Sequence, residues 1–199
     1  AYDANGLPQG SMGVDFGADH KSAIVVKGID HFGRWFTLES WAEPSSPPAV
    51  AAKAVELAKK WRVTDCWSDH DPAWRWPLRD ALAEVDVACY KANKTIGRLS
   101  DPSGGIGLVA YVLNKKLPDG SQACFVDPEA CRIYVREMEN YRRPEENPGR
   151  PTSEKPLKLN DDCVDADRYG TVGMFLAHWD EIVQIGAAPN VPTTMMVGV

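Results

Sequence analysis

The chain has 199 residues, of which 44% are hydrophobic and 25% are charged, and its formal net charge is −6. This length and composition suit one well-packed globular domain. No apolar run reaches the roughly 18 residues of a membrane-spanning helix, and the net charge argues against indiscriminate nucleic-acid binding. Five cysteines without a C-x-x-C pair indicate a reduced, cytoplasmic setting and no zinc site.

The first part of the chain predicts a sheet followed by a helix. After a polar lead-in over residues 1–12, three β-rich runs separated by turn residues predict an antiparallel meander. These runs are 14–16, 22–26 and 35–41. A Pro- and Ser-rich break follows, and apolar residues at helical spacing over 50–61 then predict a helix that crosses over the sheet.

Strands and helices alternate in the rest of the chain. The predicted strands are 63–68, 85–90 and 123–126, and the predicted helices are 72–84, 105–113, 128–140 and 161–185. The segment 142–158 is rich in Pro, Glu and Arg, which predicts an exposed loop or a mobile hairpin. This order is typical of an α/β domain with a mixed sheet flanked by helices. It is specifically the order of a ribonuclease-H-like fold, here expected over 13–185 and followed by a tail, 186–199.

Aspartates stand at three places where a predicted element begins or ends. They are Asp15 after the first β-rich run, Asp69 and Asp71 after the strand 63–68, and Asp161, Asp162 and Asp165 at the start of the last helix. Like charges gathered at one place repel each other unless a cation binds there. Oxygen ligands from distant positions suit magnesium or manganese. The pattern therefore predicts a two-metal site of the kind that hydrolyses phosphodiester bonds.

Each cluster also has a purely structural interpretation. Asp15 lies between glycines, as a turn residue does, and Asp71 suits the N-cap of the following helix. Strand alternation favours Asp69 over Asp71 as a ligand, because Asp69 continues the face of Asp65. Carboxylates in the first turn of the last helix are also stabilised by the helix dipole.

Basic residues near the strand 85–90 predict a path for DNA despite the negative net charge. Phosphate contacts are expected from Lys91, Lys94 and Arg98, with Arg142 and Arg143 as a second small cluster. The segment 17–22 resembles a phosphate loop but has His20 where the G-x-x-x-x-G-K-[ST] pattern requires glycine. No ATP-binding loop is therefore predicted in the chain.

Residues 161–169, DDCVDADRY, resemble the DHxxDAxRY motif that ends the nuclease domain of tailed-phage large terminase subunits. Asp162 replaces the histidine of that motif, and Asp167 replaces an apolar residue. Three further segments resemble motifs of the same family. They are 13–17, which is similar to its GxDxG strand, 67–73, which is similar to its second acidic segment, and 91–96, which is similar to its aKxvxxGI segment.

This resemblance covers roughly residues 13–180. It implies a metal-dependent endonuclease that cuts concatemeric double-stranded DNA during phage DNA packaging. It further implies two Mg²⁺ or Mn²⁺ ions, held by Asp15, by Asp69 or Asp71, and by Asp161 or Asp162, with Asp165 in or beside the site. The match to Asp71-Pro72-Ala73 favours Asp71 where strand alternation favours Asp69.

The implied partners are an ATPase domain, the small terminase subunit and the portal, and the implied location is the host cytoplasm. Because no ATP-binding loop is present, we expect this chain to be the nuclease half only. The alternatives are a Holliday-junction resolvase or transposase-like nuclease of the same fold, and a non-catalytic module that binds nucleic acid or a partner. An actin-like phosphotransferase is disfavoured, because it needs two duplicated domains.

Overall fold

The computed structural model describes residues 10–30, 32–94, 105–141 and 160–177. These residues form six strands and five helices. In chain order they are β1 (Gly10–Asp15), β2 (Ser22–Ile29), β3 (Trp35–Glu43), α1 (Pro47–Trp61), β4 (Val63–Ser68), α2 (Pro72–Ala83), β5 (Ala88–Lys91), α3 (Gly105–Asn114), β6 (Cys124–Val126), α4 (Arg132–Asn140) and α5 (Asp162–Ala177). Among these helices none has the length and apolar character needed to cross a membrane.

The six strands form one mixed sheet in the order β5-β4-β1-β2-β3-β6. The meander β1-β2-β3 is antiparallel, whereas β4 runs parallel to β1, β5 runs parallel to β4, and β6 runs parallel to β3. Because β1 and β4 are parallel neighbours, their carboxyl ends meet at the same edge of the sheet. That edge holds both Asp15 and Asp69.

Helices cover both faces of the sheet, and the alternation of side chains along β1 and β2 explains why. Met12 and Val14, together with Ile24 and Val26 of β2, pack into a core with residues of α1 and α2. Ala23 and Val25 point to the other face, where α4 and α5 pack. Both central strands are buried along their whole length, as expected of strands covered on two sides.

Several element boundaries differ from the sequence prediction, among them the starts of β1, β5 and α4. β1 begins at Gly10, so the assignment of residues 10–12 to a lead-in is wrong. β5 begins at Ala88 and not at residue 85, because Asp86, with φ of 59°, forms a turn after α2. α4 begins at Arg132, because the Asp127 side chain accepts hydrogen bonds from the backbone of residues 129 and 130 and holds them in a turn.

The predicted fold class is confirmed: the sheet is mixed, and helices flank it on both faces. α5 begins at Asp162 and is described as far as Ala177. Several predicted segments lie outside the described residues. They are the rest of the helix predicted to reach residue 185, the loop 142–158, and the terminal segments 1–9 and 186–199.

Candidate metal centre

The ends of two neighbouring strands bring Asp15 and Asp69 side by side. Asp15 is the last residue of β1, and Asp69 directly follows β4. The backbone N–H of Asp69 donates to the Val14 carbonyl at 3.0 Å, which extends the ladder between β1 and β4 by one residue. The side chain of Asp69 therefore follows that of Trp67 on the face of the sheet that α5 covers.

Glycines allow α5 to lie directly on β1 beside these carboxylates. A Cβ atom on Gly13 would lie 1.9 Å from the Ala166 carbonyl oxygen, and one on Gly170 would lie 2.9 Å from the Gly13 nitrogen. Only residues without a side chain permit so close an approach of helix and strand. The first turns of α5 consequently reach the strand end that carries Asp15.

The first turns of α5 bring Asp162 and Asp165 to this edge, and both are buried. Asp165 forms an ion pair with Arg168, 2.7 Å between Oδ1 and Nη2, which fixes the orientation of its carboxylate. The backbone N–H of Cys163 donates to Glu137 of α4 at 2.7 Å. Glu137 thus caps the N-terminus of α5, and burial, reinforced by the charge of Asp162, raises its pKa to about 7.

Asp15 is the most perturbed carboxylate of this edge. It is only 7% exposed, and its carboxylate forms no hydrogen bond or ion pair within the described part of the chain. Burial, followed by the negative charges of Asp165 and Asp69, raises its pKa to about 7, although the positive charges of His20 and Lys94 oppose the shift. A buried carboxylate without a hydrogen bond is costly as an anion and is stabilised by a cation placed beside it.

His20 also belongs to this edge, although no motif in the sequence indicates a role for it in the site. It lies in the tight turn between β1 and β2, where the Gly17 N–H donates to Ser22 Oγ at 3.1 Å. His20 Nδ1 lies 2.7 Å from Asp162 Oδ1. Partial burial alone would lower the pKa of His20, but the charge of Asp162 and the hydrogen bond to it raise the pKa above its ordinary value.

Asp71 and Asp161, which the sequence left as alternative ligands, are not members of the group that Asp15, His20 and Asp162 form. The Asp71 side chain is exposed and accepts a hydrogen bond from the Ala73 N–H at 2.9 Å, so it caps α2 as its position predicted. Asp161 precedes the first residue of α5, and its carbonyl accepts the Asp165 N–H at 2.8 Å. Among the described residues, one group of three side chains has the spacing of a metal site, and it contains Asp162 and not Asp161.

The predicted DNA contacts are only partly described. Lys94 forms an ion pair with Asp69 and lies 5.4 Å from the centre of the Tyr169 ring, so it belongs to the carboxylate edge. Lys91 is exposed at the end of β5, the outermost strand on that side of the sheet. The remaining predicted contacts, Arg98, Arg142 and Arg143, lie outside the described residues.

A buried ion pair attaches α5 to the centre of the sheet. Lys27 of β2 and Asp167 of α5 are 2.5 Å apart between Nζ and Oδ1, and both side chains are almost completely buried. The local sequence cannot indicate that these two residues pair, because they are 140 residues apart in the chain. Together with the glycine contacts, this pair limits how far α5 can slide or rotate over β1.

The donor set of the edge fits divalent cations. Lys94, Arg168 and His20 pair with Asp69, Asp165 and Asp162 respectively, so Asp15 is the carboxylate of this edge that lacks a cationic partner among the described residues. Carboxylate oxygens suit magnesium or manganese. One ligand atom from each of Asp15, His20 and Asp162 lies within 4.8 Å of the others, as binding to a shared ion requires.

Comparisons with known proteins find similar folds in phage terminase structures. No protein-family model matches the chain, and no curated protein sequence matches it. Solved structures do match. The large terminase of a thermophilic bacteriophage matches with 20% identity and a TM-score of 0.63, over 84% of this chain and 39% of that one.

Two isolated nuclease domains match over most of their own length. The large terminase nuclease domain of bacteriophage SPP1, solved with bound Mn, has 19% identity and a TM-score of 0.57, over 83% of this chain and 86% of that one. The P22 large terminase nuclease domain has 21% identity and a TM-score of 0.54, over 82% of this chain and 79% of that one. The chain therefore has the fold of large terminase nuclease domains, as its motifs predicted. It spans only about two fifths of the first-named large terminase.

Proposed function

We propose that this chain is the nuclease domain of a phage large terminase and cuts concatemeric double-stranded DNA by two-metal-ion hydrolysis. The observation that carries the proposal is the Asp15 carboxylate, which is buried, forms no hydrogen bond within the described residues, and faces the charges of Asp69 and Asp165. A protein that needed only stability would gain by replacing such a group with an apolar one. The fold shared with terminase nuclease domains supports the same function.

Two ions would share the carboxylates of this edge. Asp15 is grouped with Asp162 and is also close enough to Asp69 and Asp165 for their charges to raise its pKa, so it would be a ligand of both ions. When bound, the ions would supply water activation and stabilisation of the leaving oxygen. Arg168 holds the Asp165 carboxylate in position through their ion pair.

Basic residues beside the carboxylates would bind the DNA backbone. Lys94 pairs with Asp69 and would be available to a phosphate if Asp69 held a cation instead. Lys91 is exposed on the outer strand next to this edge and would contact a neighbouring phosphate. Such contacts position DNA without reading its sequence.

The wider assembly is part of the same proposal. Because the chain spans only about two fifths of a similar large terminase, an ATPase domain would accompany it. The small terminase subunit and the portal would be further partners, and the host cytoplasm would be the location. The substrate would be double-stranded DNA, cut without a protein nucleophile.

The test is cleavage of supercoiled plasmid by the purified protein with Mn²⁺, with Mg²⁺ and with excess chelator. We expect nicking or linearisation only with a divalent ion, and a loss of at least about a hundredfold in Asp15→Asn, since a ligand to both ions is weakened. Asp71→Asn is the matched control, because it changes an exposed carboxylate that caps α2. Full cleavage in chelator, or an unimpaired Asp15→Asn, would contradict the proposal. Faster cleavage of a four-way junction than of duplex would instead indicate a resolvase.

A further inference from the structure

We infer that His20 is a nitrogen ligand of the metal centre, shared with Asp15 and Asp162, and that it makes this part of the site selective for manganese over magnesium. The inference rests on the proposed function, which assigns the ions to the carboxylates alone. It concerns a residue of the β1–β2 turn, outside the aspartate motifs on which that function is based.

The spacing of the donor atoms carries this inference. His20 Nδ1 and Asp162 Oδ1 are 2.7 Å apart. Two ligands at adjacent corners of an octahedron, each about 2.1 Å from the ion, are separated by about 3 Å. One ligand atom from each of Asp15, His20 and Asp162 lies within 4.8 Å of the others. Opposite ligands of one ion are about 4.2 to 4.5 Å apart, so the three groups need only a small adjustment to bind one ion.

The position of His20 allows that adjustment. Its side chain is about half exposed, 53%, whereas Asp162 is held in the buried first turn of α5. The turn itself is fixed at its base, because Gly17 donates to Ser22 and a Cβ atom on Gly17 would lie 2.2 Å from the Lys21 carbonyl oxygen. His20 Nδ1 also lies 2.9 Å from the Lys21 carbonyl oxygen. Metal binding through Nδ1 therefore requires the loss of its proton and a short movement of the half-exposed imidazole away from that carbonyl, while the backbone stays beside the strand end.

A second observation also indicates a bound cation at this position. Asp15, the third member of the group, is more than nine-tenths buried, and its carboxylate forms no hydrogen bond or ion pair within the described residues. Its carboxylate therefore has acceptor capacity that the described side chains leave unused. A cation between Asp15, His20 and Asp162 would occupy it.

The donor set determines which cation is favoured. Mg²⁺ prefers an octahedral shell of oxygen ligands, including water, whereas an imidazole nitrogen favours first-row transition metals. Removing His20 should therefore weaken the binding of Mn²⁺ more than that of Mg²⁺. A site made of aspartates only would show no such difference.

The competing interpretation is that His20 merely neutralises Asp162 through their ion pair. In that case the imidazolium competes with the metal for the carboxylate. Its removal would then strengthen metal binding, because a positive charge is lost from the site. The two interpretations therefore predict opposite signs for the same variant.

The experiment measures Mn²⁺ and Mg²⁺ dissociation constants by calorimetry for the wild type, His20→Ala and His70→Ala. It also records pulsed electron paramagnetic resonance of bound Mn²⁺, which detects a coordinated ¹⁴N nucleus. His70 is the matched control: it is the other histidine among the described residues, and its ring contacts the Ala92 carbonyl. We expect His20→Ala to bind Mn²⁺ at least about tenfold more weakly, with a smaller change for Mg²⁺, and to lose a ¹⁴N coupling that the wild type and His70→Ala retain.

The outcomes separate this inference from the proposed function. Binding of Mn²⁺ by the wild type but not by Asp15→Asn would support the aspartate site on its own. If in that case the ¹⁴N coupling is absent, or His20→Ala binds Mn²⁺ at least as tightly as the wild type, then His20 is not a ligand. If the wild type binds neither ion, the proposed function fails together with the inference.

Discussion

Replacing the Asp15 carboxylate with an amide is expected to stabilise the fold near neutral pH when divalent ions are removed by chelation. Burial, followed by the charges of Asp165 and Asp69, raises the pKa of Asp15 from 3.8 to about 7. The folded protein therefore favours the neutral form of this group. Asn has nearly the same shape as Asp and no charge, so Asp15→Asn keeps the packing and removes the repulsion.

The sign of the pH dependence follows from this shift. In the unfolded chain Asp15 loses its proton near pH 3.8, whereas in the folded chain it keeps the proton up to about pH 7. The folded state therefore binds more protons in this interval, and the free energy of unfolding of the wild type falls as the pH rises through it. A pKa difference of this size corresponds to about 4 kcal/mol. Because Asp15→Asn has no charge at this position, its free energy of unfolding should not fall in this way, and its advantage over the wild type should reach at most about 4 kcal/mol.

Urea unfolding in chelator at pH 4.5, 6 and 7.5 measures the effect as the difference between Asp15→Asn and the wild type. Glu137 also has a raised pKa, but it titrates in both proteins, so its contribution largely cancels. Asp71→Asn serves as the control, because Asp71 is exposed and Asn also caps helices. If Asp15→Asn is no more stable than the wild type at pH 7.5, or if its advantage does not shrink towards pH 4.5, the account of Asp15 as a buried, repelled carboxylate is refuted.

Two further predictions concern α5 and the DNA path. Asp167→Leu should lower the free energy of unfolding by about 3 to 5 kcal/mol, because it leaves the Lys27 ammonium buried without its partner. In thermal or urea unfolding, the double variant Lys27→Met/Asp167→Leu should recover most of that loss. Equal stability of the single and double variants would contradict this prediction. Lys91→Ala should reduce the salt dependence of DNA binding by about one phosphate contact in a titration with cleavage-inactive protein. Lys59→Ala is the control, because Lys59 lies in the last turn of α1, and an equal effect of both substitutions would remove Lys91 from the DNA path.

Local patterns were sufficient to predict the elements and much of the candidate edge. Alternation along β4 predicted that Asp69 continues the face of the strand, and the structure brings Asp69 beside the end of β1. The preference of aspartate for helix N-caps predicted that Asp71 caps α2, and in the structure its side chain accepts the Ala73 N–H. These predictions succeed because strand alternation and helix capping depend on residues only a few positions apart.

Helix geometry alone did not decide between Asp161 and Asp162. Spacing by four placed Asp161 and Asp165 on one face, but α5 begins only at Asp162, and it is Asp162 that approaches His20. The start of the helix is set by Glu137 of α4, which accepts the Cys163 N–H. A cap supplied by a different helix cannot be recognised from the sequence around position 161.

Sequence by itself therefore determined the order of the elements and which carboxylates stand at their ends, because these follow from periodicity and capping within short segments. Only the tertiary structure decided the neighbours of those carboxylates: His20 beside Asp162, Lys94 beside Asp69 and Lys27 beside Asp167. The physical reason is that ion pairs and pKa shifts depend on distance and burial. Both are set where α5 packs against β1 through Gly13 and Gly170, a contact between residues far apart in the chain.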